Sequence, residues 1–267
     1  MQIGFSINEL LFVLTVLTGA SWAGWRVVRR RRPAAASSRP FWALGSELFL
    51  IVALMFTCRV AVADWPKVPT GSMEPTLRVG DYLLVNHLAY GPRLPFTNTA
   101  IEFGRPQRGD VVVFRYPRQV SEFYVKRLVG LPGDVVRFQD GAVSVNGEPF
   151  DTRPAGASVA PRAEDRGQWL LQEVSQGTQR AIKVNPFLQG GLPLDLTQPD
   201  LATNCRSERR GAWACTVPAG EYLMLGDNRD SSADSRVWGF LPHGQVYGKA
   251  VRVLFNFSDL SRSWTAL

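Results

Sequence analysis

A mostly β protein is the architecture the sequence predicts: an antiparallel β-sheet domain with a smaller inserted β-module, preceded by two transmembrane helices. Three observations predict it. Two long apolar runs precede residue 66, strand-like alternation begins at residue 79, and a stretch with different composition interrupts that alternation between residues 148 and 217. The corresponding division is a first transmembrane anchor (1–25), an Arg-rich loop (26–40), a second transmembrane segment (41–63), a main β-domain (64–147 with 218–267) and the inserted module (148–217).

The first run, residues 5–25 (FSINELLFVLTVLTGASWAGW), would as a helix span roughly 31 Å, close to the thickness of a hydrocarbon core. A buried helix of a soluble domain would leave the Arg block behind it unexplained. A cleaved leader would carry its basic residues before the apolar run, whereas here they follow it, so an anchor fits better. The second run, residues 41–65, holds Glu47 and Arg59, both near its ends, where such side chains can snorkel; a shallower or partly interfacial helix is the competing reading. Between the runs, residues 26–40 carry six Arg and no acid. Short Arg-rich loops stay on the cytoplasmic side, which places the N-terminus and the β-domain across the membrane on the translocated side. Trp22, Trp25 and Trp42 then fall beside the inner boundary and Trp65 beside the outer one.

The same block explains the charge. The chain of 267 residues carries a net +7, yet residues 64–267 account for only +2 of it, because the excess is the Arg loop. The basic balance therefore does not imply a nucleic-acid partner. With Gly at 24, Cys at 3 and no recurring period, collagen-like, disulfide-scaffold and repeat architectures are excluded.

In the main domain, residues 82–85 (YLLV), 110–114 (DVVVF), 123–129 (FYVKRLV), 135–138 (VVRF) and 142–145 (AVSV) read as short strands, with Asp140-Gly141 as a two-residue hairpin turn. Residues 149–168 are rich in Pro, Gly, Ala, Ser and Arg; shorter strand signals follow at 169–174 and 181–184, and the pattern returns at 221–225 and 249–255. Cys58 reads as a small buried hydrophobe. Cys205 and Cys215 lie in a domain expected in an oxidising compartment, where a bridge is allowed and two free thiols are the alternative. The two His, His87 and His243, lack acidic or Cys neighbours at metal-ligand spacing.

With so few His, a hydrolytic base is sought elsewhere, the alternative being a triad in which His87 or His243 folds next to a Ser. Ser72 follows Gly71 and precedes Glu74-Pro75, a tightly specified turn that can present a hydroxyl outward. Lys126 shares a strand face with Tyr124 and Leu128, a setting that can desolvate the amine and bring its pKa toward that of a general base. Taken singly, each has a plain structural explanation: a loop serine, and an edge-strand lysine kept for solubility.

Together, three motifs resemble the bacterial type I signal (leader) peptidases, membrane-anchored serine endopeptidases with a Ser/Lys dyad. PTGSMEPTLRVGD at residues 69–81 is similar to the nucleophile motif and assigns Ser72 as the attacking hydroxyl. YVKRLVGLPGD at 124–134 is similar to the general-base motif and assigns Lys126. GDNRDSSADSR at 226–236 resembles the third block, in which Ser232 would orient the Lys amine and Asp234 with Arg236 would form a supporting ion pair. The family's common form has Ser two residues before the nucleophile; this chain has Thr70, which also supplies a hydroxyl for the oxyanion beside the Ser72 N–H.

The resemblance implies no metal or organic cofactor, and as partners the signal peptides of exported preproteins, cleaved after small residues of the A-x-A kind, with membrane phospholipids and the secretion translocon nearby. A self-cleaving repressor would need a DNA-binding module where this chain has apolar segments, and the penicillin-binding pattern S-x-x-K fails because Pro75 occupies its last position. A specialised maturation peptidase for pilus or conjugation proteins would share the dyad. A noncatalytic peptide-binding β scaffold would require one dyad residue to be missing or misplaced.

Overall fold

The computed structural model describes residues 7–31, 40–91, 104–139, 141–155, 167–175, 177–185, 187, 193–209 and 211–267. Two helices come first: α1 (Ile7–Arg31), and α2 (Gly45–Thr57), which follows a 3₁₀ turn (Phe41–Leu44) and runs into one turn of π-helix (Cys58–Val62). They pack antiparallel, with Phe12 against Phe56, Trp22 against Phe49, and Trp25 against Trp42 at a 5.8 Å centroid separation. Small residues allow this approach: a Cβ on Gly19 would lie 3.0 Å from the Phe49 ring, and one on Gly45 3.0 Å from Ser21 Oγ.

Residues Leu10–Arg31 and Phe41–Val62 are each long and apolar enough to cross a membrane. The expected Arg loop begins as helix, since Arg26 and Arg29 to Arg31 continue α1; residues 32–39 lie outside the described residues. Arg59 pairs with Asp64 at 2.7 Å and lies over the Trp65 ring at 4.3 Å. Cys58, expected buried, is exposed, on a segment apolar enough to cross a membrane, where burial in a protein core is not needed to shelter a small apolar side chain.

The strands in chain order are β1 (Ala63–Asp64), β2 (Asp81–Asn86), β3 (Val111–Tyr116), β4 (Gln119–Gly130), β5 (Val135–Gln139), β6 (Ala142–Val145), β7 (Glu148–Pro149) and β8 (Asp151–Pro154). After them come β9 (Trp169–Ser175), β10 (Thr178–Val184), α3 (Pro199–Asn204), β11 (Cys205–Arg209), β12 (Ala212–Thr216), β13 (Glu221–Leu225), α4 (Ser235–Trp238), β14 (Leu241–Pro242), β15 (Val246–Asn256) and β16 (Thr265–Ala266). All pairings between them are antiparallel, and they form three sheets: β1-β2-β15-β3-β4-β13-β14 with β16 on β15; β10-β9-β8; and β11-β12-β5-β6-β7.

Alternation sets the register. In β2 every second residue is buried, Leu83 and Val85 joining Val111, Val113 and Val253 in one cluster. β4 is longer than its sequence pattern because the hairpin from β3 is closed by only two residues, Pro117 and Arg118, so its exposed start at Gln119 still pairs with Tyr116. The β5–β6 hairpin closes with Gln139 opposite Ala142 and Gly141 at φ +89°, a conformation costly for residues with a Cβ; Asp140 lies outside the described residues.

Strand pairing also crosses the 147/148 division. β12 pairs with β5, Trp213 stacks on Phe138 at 5.4 Å, and a disulfide joins Cys205 to Cys215 on paired strands. One row of partners runs straight across the main sheet: Ala63 opposite Asn86, Asn86 opposite Lys249, Lys249 opposite Val112, and Val112 opposite Lys126.

Candidate active site

The turn holding Ser72 is anchored from below. Met73 and Leu77 are fully buried, Val68 bonds to Asp81 and Gly80 through its backbone, and between them Gly71–Met73 forms one 3₁₀ turn. Glu74 is extended (φ −64°, ψ 143°), as the residue before a proline tends to be, and its bond to Pro75 is cis. Buried Met73 on one side and extended Thr70 on the other leave Ser72 half-buried at a cleft of about 650 Å³ lined by Pro69, Thr70, Tyr124, Lys126, Asn228 and Ala233, among others.

Lys126 enters from β4. It is 3% exposed, its Nζ lies 2.7 Å from Ser72 Oγ, and it also donates to the Val125 carbonyl at 3.0 Å. The Tyr124 ring centre is 5.4 Å away. Burial pushes the amine down to about 8, against the opposing pull of Asp234 and Asp227. The charges acting on Lys126 are thus acidic and raise its pKa; arginines do not help lower it, and desolvation alone supplies the depression. Thr70 Oγ1 donates to Ser72 Oγ at 3.4 Å, which puts the two hydroxyls side by side at the cleft.

The segment from Gly226 to Arg236 walls the other side. Asp234 and Arg236 form a fully buried ion pair at 2.7 Å, and Asp234 also accepts from the Gly226 N–H at 2.9 Å and caps α4. Burial works against charge on Asp234, but Arg236 outweighs it and holds the carboxyl below its ordinary value. Ser232 is where the third motif suggests, 1% exposed, but the hydrogen bond expected from it to Lys126 is not formed: its Oγ has no hydrogen-bond partner. Instead it packs on Gly226, where a Cβ would lie 2.1 Å from Ser232 Oγ and 2.5 Å from the Ser72 carbonyl oxygen. Only glycine fits at position 226.

The sequence reading missed several residues that hold this site together. Asn228 donates through its backbone N–H to the Ser72 carbonyl at 3.2 Å and through Nδ2 to the Gly71 carbonyl at 3.1 Å. Arg127 forks onto Asp227 at 2.8 and 2.6 Å, and Thr76 donates to the same carboxylate at 2.6 Å. Arg127 was detectable: it alternates between Val125 and Val129 on an inward face, where a guanidinium requires a buried acid.

The histidines lie elsewhere. His87 is buried with Nδ1 3.1 Å from the Tyr247 carbonyl, His243 pairs through Nδ1 with the Tyr222 hydroxyl at 2.8 Å, and neither lines the cleft. Among the described residues no group of three or more His, Cys, Asp or Glu is placed to hold a metal.

Residues 41–255, which include all three motifs and the residues that bring them together, match the family described as signal peptidase, peptidase S26. The chain belongs to this family. Among its relatives, a signal peptidase I of Pseudomonas fluorescens is 37% identical over 227 residues, covering 80% of this chain and 72% of that protein. One from Haemophilus influenzae is 31% identical and covers 98% of this chain and 89% of its own length, so the similarity reaches the first apolar helix. A solved signal peptidase I from Enterococcus faecalis V583 is 29% identical, covering 54% of this chain and 96% of its own, with a TM-score of 0.31. As a member of the S26 family the protein is a serine peptidase.

Proposed function

We propose that this S26 peptidase is a multi-pass, membrane-anchored endopeptidase that removes N-terminal signal peptides from exported preproteins after small residues of the A-x-A type. In this reading Ser72 is the nucleophile and neutral Lys126 the general base. The observation that carries it is the 2.7 Å contact between Ser72 Oγ and the buried Lys126 Nζ.

Lys126 takes the Ser72 proton as Oγ attacks the scissile carbonyl. The oxyanion is met by the Ser72 N–H and the Thr70 hydroxyl. Lys126, now charged, returns the proton to the leaving amine as the C–N bond breaks, then activates a water that hydrolyses the ester and frees Ser72. Ser232, whose buried hydroxyl has no partner, is the residue that the third motif assigns to orienting the Lys126 amine.

The substrate has a place to lie. β13 pairs with β4 only from Arg127 to Gly130, so among the described residues the edge of β4 before Lys126 has no strand partner on the β13 side, beside the cleft. An extended peptide can add there as a strand, with alternate side chains directed toward the cleft. Anchoring through Leu10–Arg31 and Phe41–Val62, with the Arg-rich connection inside, sets the β-domain on the outer face, near membrane phospholipids and the exit of the translocon.

The test is S72A in the full chain, assayed on a preprotein alongside thermal melting. Loss of cleavage with melting unchanged is the expected result; cleavage by the folded variant refutes the assignment.

A further inference from the structure

The nucleophile turn is tied to the three-stranded sheet by a closed ring of bonds that the chemistry above does not use. Lys183, near the end of β10, is 3% exposed and reaches Glu74 Oε2 at 2.9 Å, two residues beyond Ser72. Its backbone faces the opposite way into the ring: the Lys183 N–H donates to the Asp227 carbonyl and its own carbonyl accepts from the Arg229 N–H, both at 2.9 Å. Between those two contacts sits Asn228, which holds the Gly71 and Ser72 carbonyls. The ring therefore runs from Ser72 through Asn228 to the Lys183 backbone, out along the Lys183 side chain to Glu74, and back along the chain to Ser72.

The sequence accommodates this ring at a second point. A Cβ on Gly71 would lie 3.1 Å from both Glu74 Cδ and Oε1, so the Glu74 carboxylate folds back under the turn into close contact with Gly71, and a side chain there would press it out by a few tenths of an ångström. β10 is itself held firmly, because Arg180 on the same strand and Arg229 from the loop both grip Glu173 of β9 at 2.6 Å. A rigid strand thus presents one cation to the turn at a fixed place.

Resting on the Ser72/Lys126 reading, we infer that Lys183 is a positioning residue: with Glu74 it fixes the turn so that Ser72 Oγ stays within hydrogen-bond reach of Lys126. It touches neither substrate nor reacting atoms. Shifts of about 1 Å in a reacting group can cost on the order of a hundredfold in rate, and the clamp acts on placement of the hydroxyl, not on peptide binding.

Full-length protein in detergent micelles, with a short A-x-A peptide, allows the test. K183M should lower kcat about tenfold or more with KM within about threefold of wild type, and E74Q should do the same and serves where K183M folds poorly. K183R, which keeps the cation, should retain kcat within about threefold. The double variant E74Q/K183M should be no slower than either single one, since each already opens the ring. A folded K183M with wild-type kcat overturns the inference, as does a loss equal to the unfolded fraction in a melting curve, or a loss K183R shares in full. Recovery of kcat in the double variant also overturns it, because the defect is then an unpaired buried charge and not a lost clamp. S72A in the same assay separates the readings: residual cleavage by S72A defeats the dyad, whereas inactive S72A beside fully active K183M defeats only the clamp.

Discussion

Replacing Lys126 by Met keeps the buried stem and removes the amine, which separates the two consequences of burying it. An ordinary lysine titrates at 10.5 and Lys126 at about 8; that gap corresponds to about 3 kcal/mol and, at pH 7, to roughly a 300-fold larger share of neutral amine. The sign for stability follows from proton counts. Between about 8 and 10.5 the unfolded chain holds a proton that the folded chain does not, so wild-type stability rises with pH across that window; below about 8 the penalty is complete and constant. K126M escapes the penalty of about 3 kcal/mol but loses two hydrogen bonds, to Ser72 and Val125, worth about 1 kcal/mol each. At pH 7 the variant should therefore melt slightly above wild type, by roughly 1 kcal/mol, and near pH 10.5 below it by about 2 kcal/mol. Melting of the full chain in detergent at both pH values, with kcat/KM measured from pH 6 to 10, reads both effects. Wild-type activity should climb to a plateau above about pH 8, and K126M should be inactive throughout. If K126M is destabilised by the same amount at both pH values, or retains an acid limb of activity, Lys126 is neither held against its burial nor the base.

Other outcomes follow from the same geometry. T70V should lose on the order of 10²–10³ in kcat while T70S stays near wild type, measured on the same peptide, since only the hydroxyl beside Ser72 is removed. R236M should unfold about 3–5 kcal/mol more easily in denaturant melts because it strands Asp234 in the interior, and D234L/R236M should recover part of that loss. In a C58S background, a cysteine at position 35 should resist a membrane-impermeant thiol reagent in intact cells, and one at position 141 should react once the outer envelope is opened; labelling at 35 would reverse the topology.

Legibility in the sequence depended on how local each cause was. Strands such as β2 and β4 announced themselves through alternation, and the two apolar helices through length; these also set Ser72 and Lys126 on elements whose packing brings them to 2.7 Å. β11 and β12 were silent because each is five residues long, one exposed and polar along most of its length (CRSER), the other buried nearly throughout (AWACT), so neither shows a two-residue period. The supporting contacts were silent for another reason. Arg127 and Asp227 are 100 residues apart, and Lys183 and Glu74 are 109 apart, so no window of sequence contains both partners. Ser232 shows the limit of motif transfer: its location followed from the pattern, but its hydroxyl direction depends on packing against Gly226.

The row of strand partners from Ala63 to Lys126 has a geometric meaning for the substrate. Ala63 is the residue at which the second apolar helix gives way to strand, and Lys126 lies four strand spacings across from it on the same row, a sideways distance of roughly 19 Å with little offset along the strands. The sheet is thus a fixed outrigger whose arm is made of ladder hydrogen bonds, and the distance from the helix end to Lys126 does not depend on any loop. In the membrane-anchored reading proposed above, a peptide held in the same bilayer must then bring its scissile bond to that point by its own length. Preproteins whose small residues follow the apolar stretch too closely would stop short of the blade, and lengthening that spacer should restore cutting without any change in the enzyme.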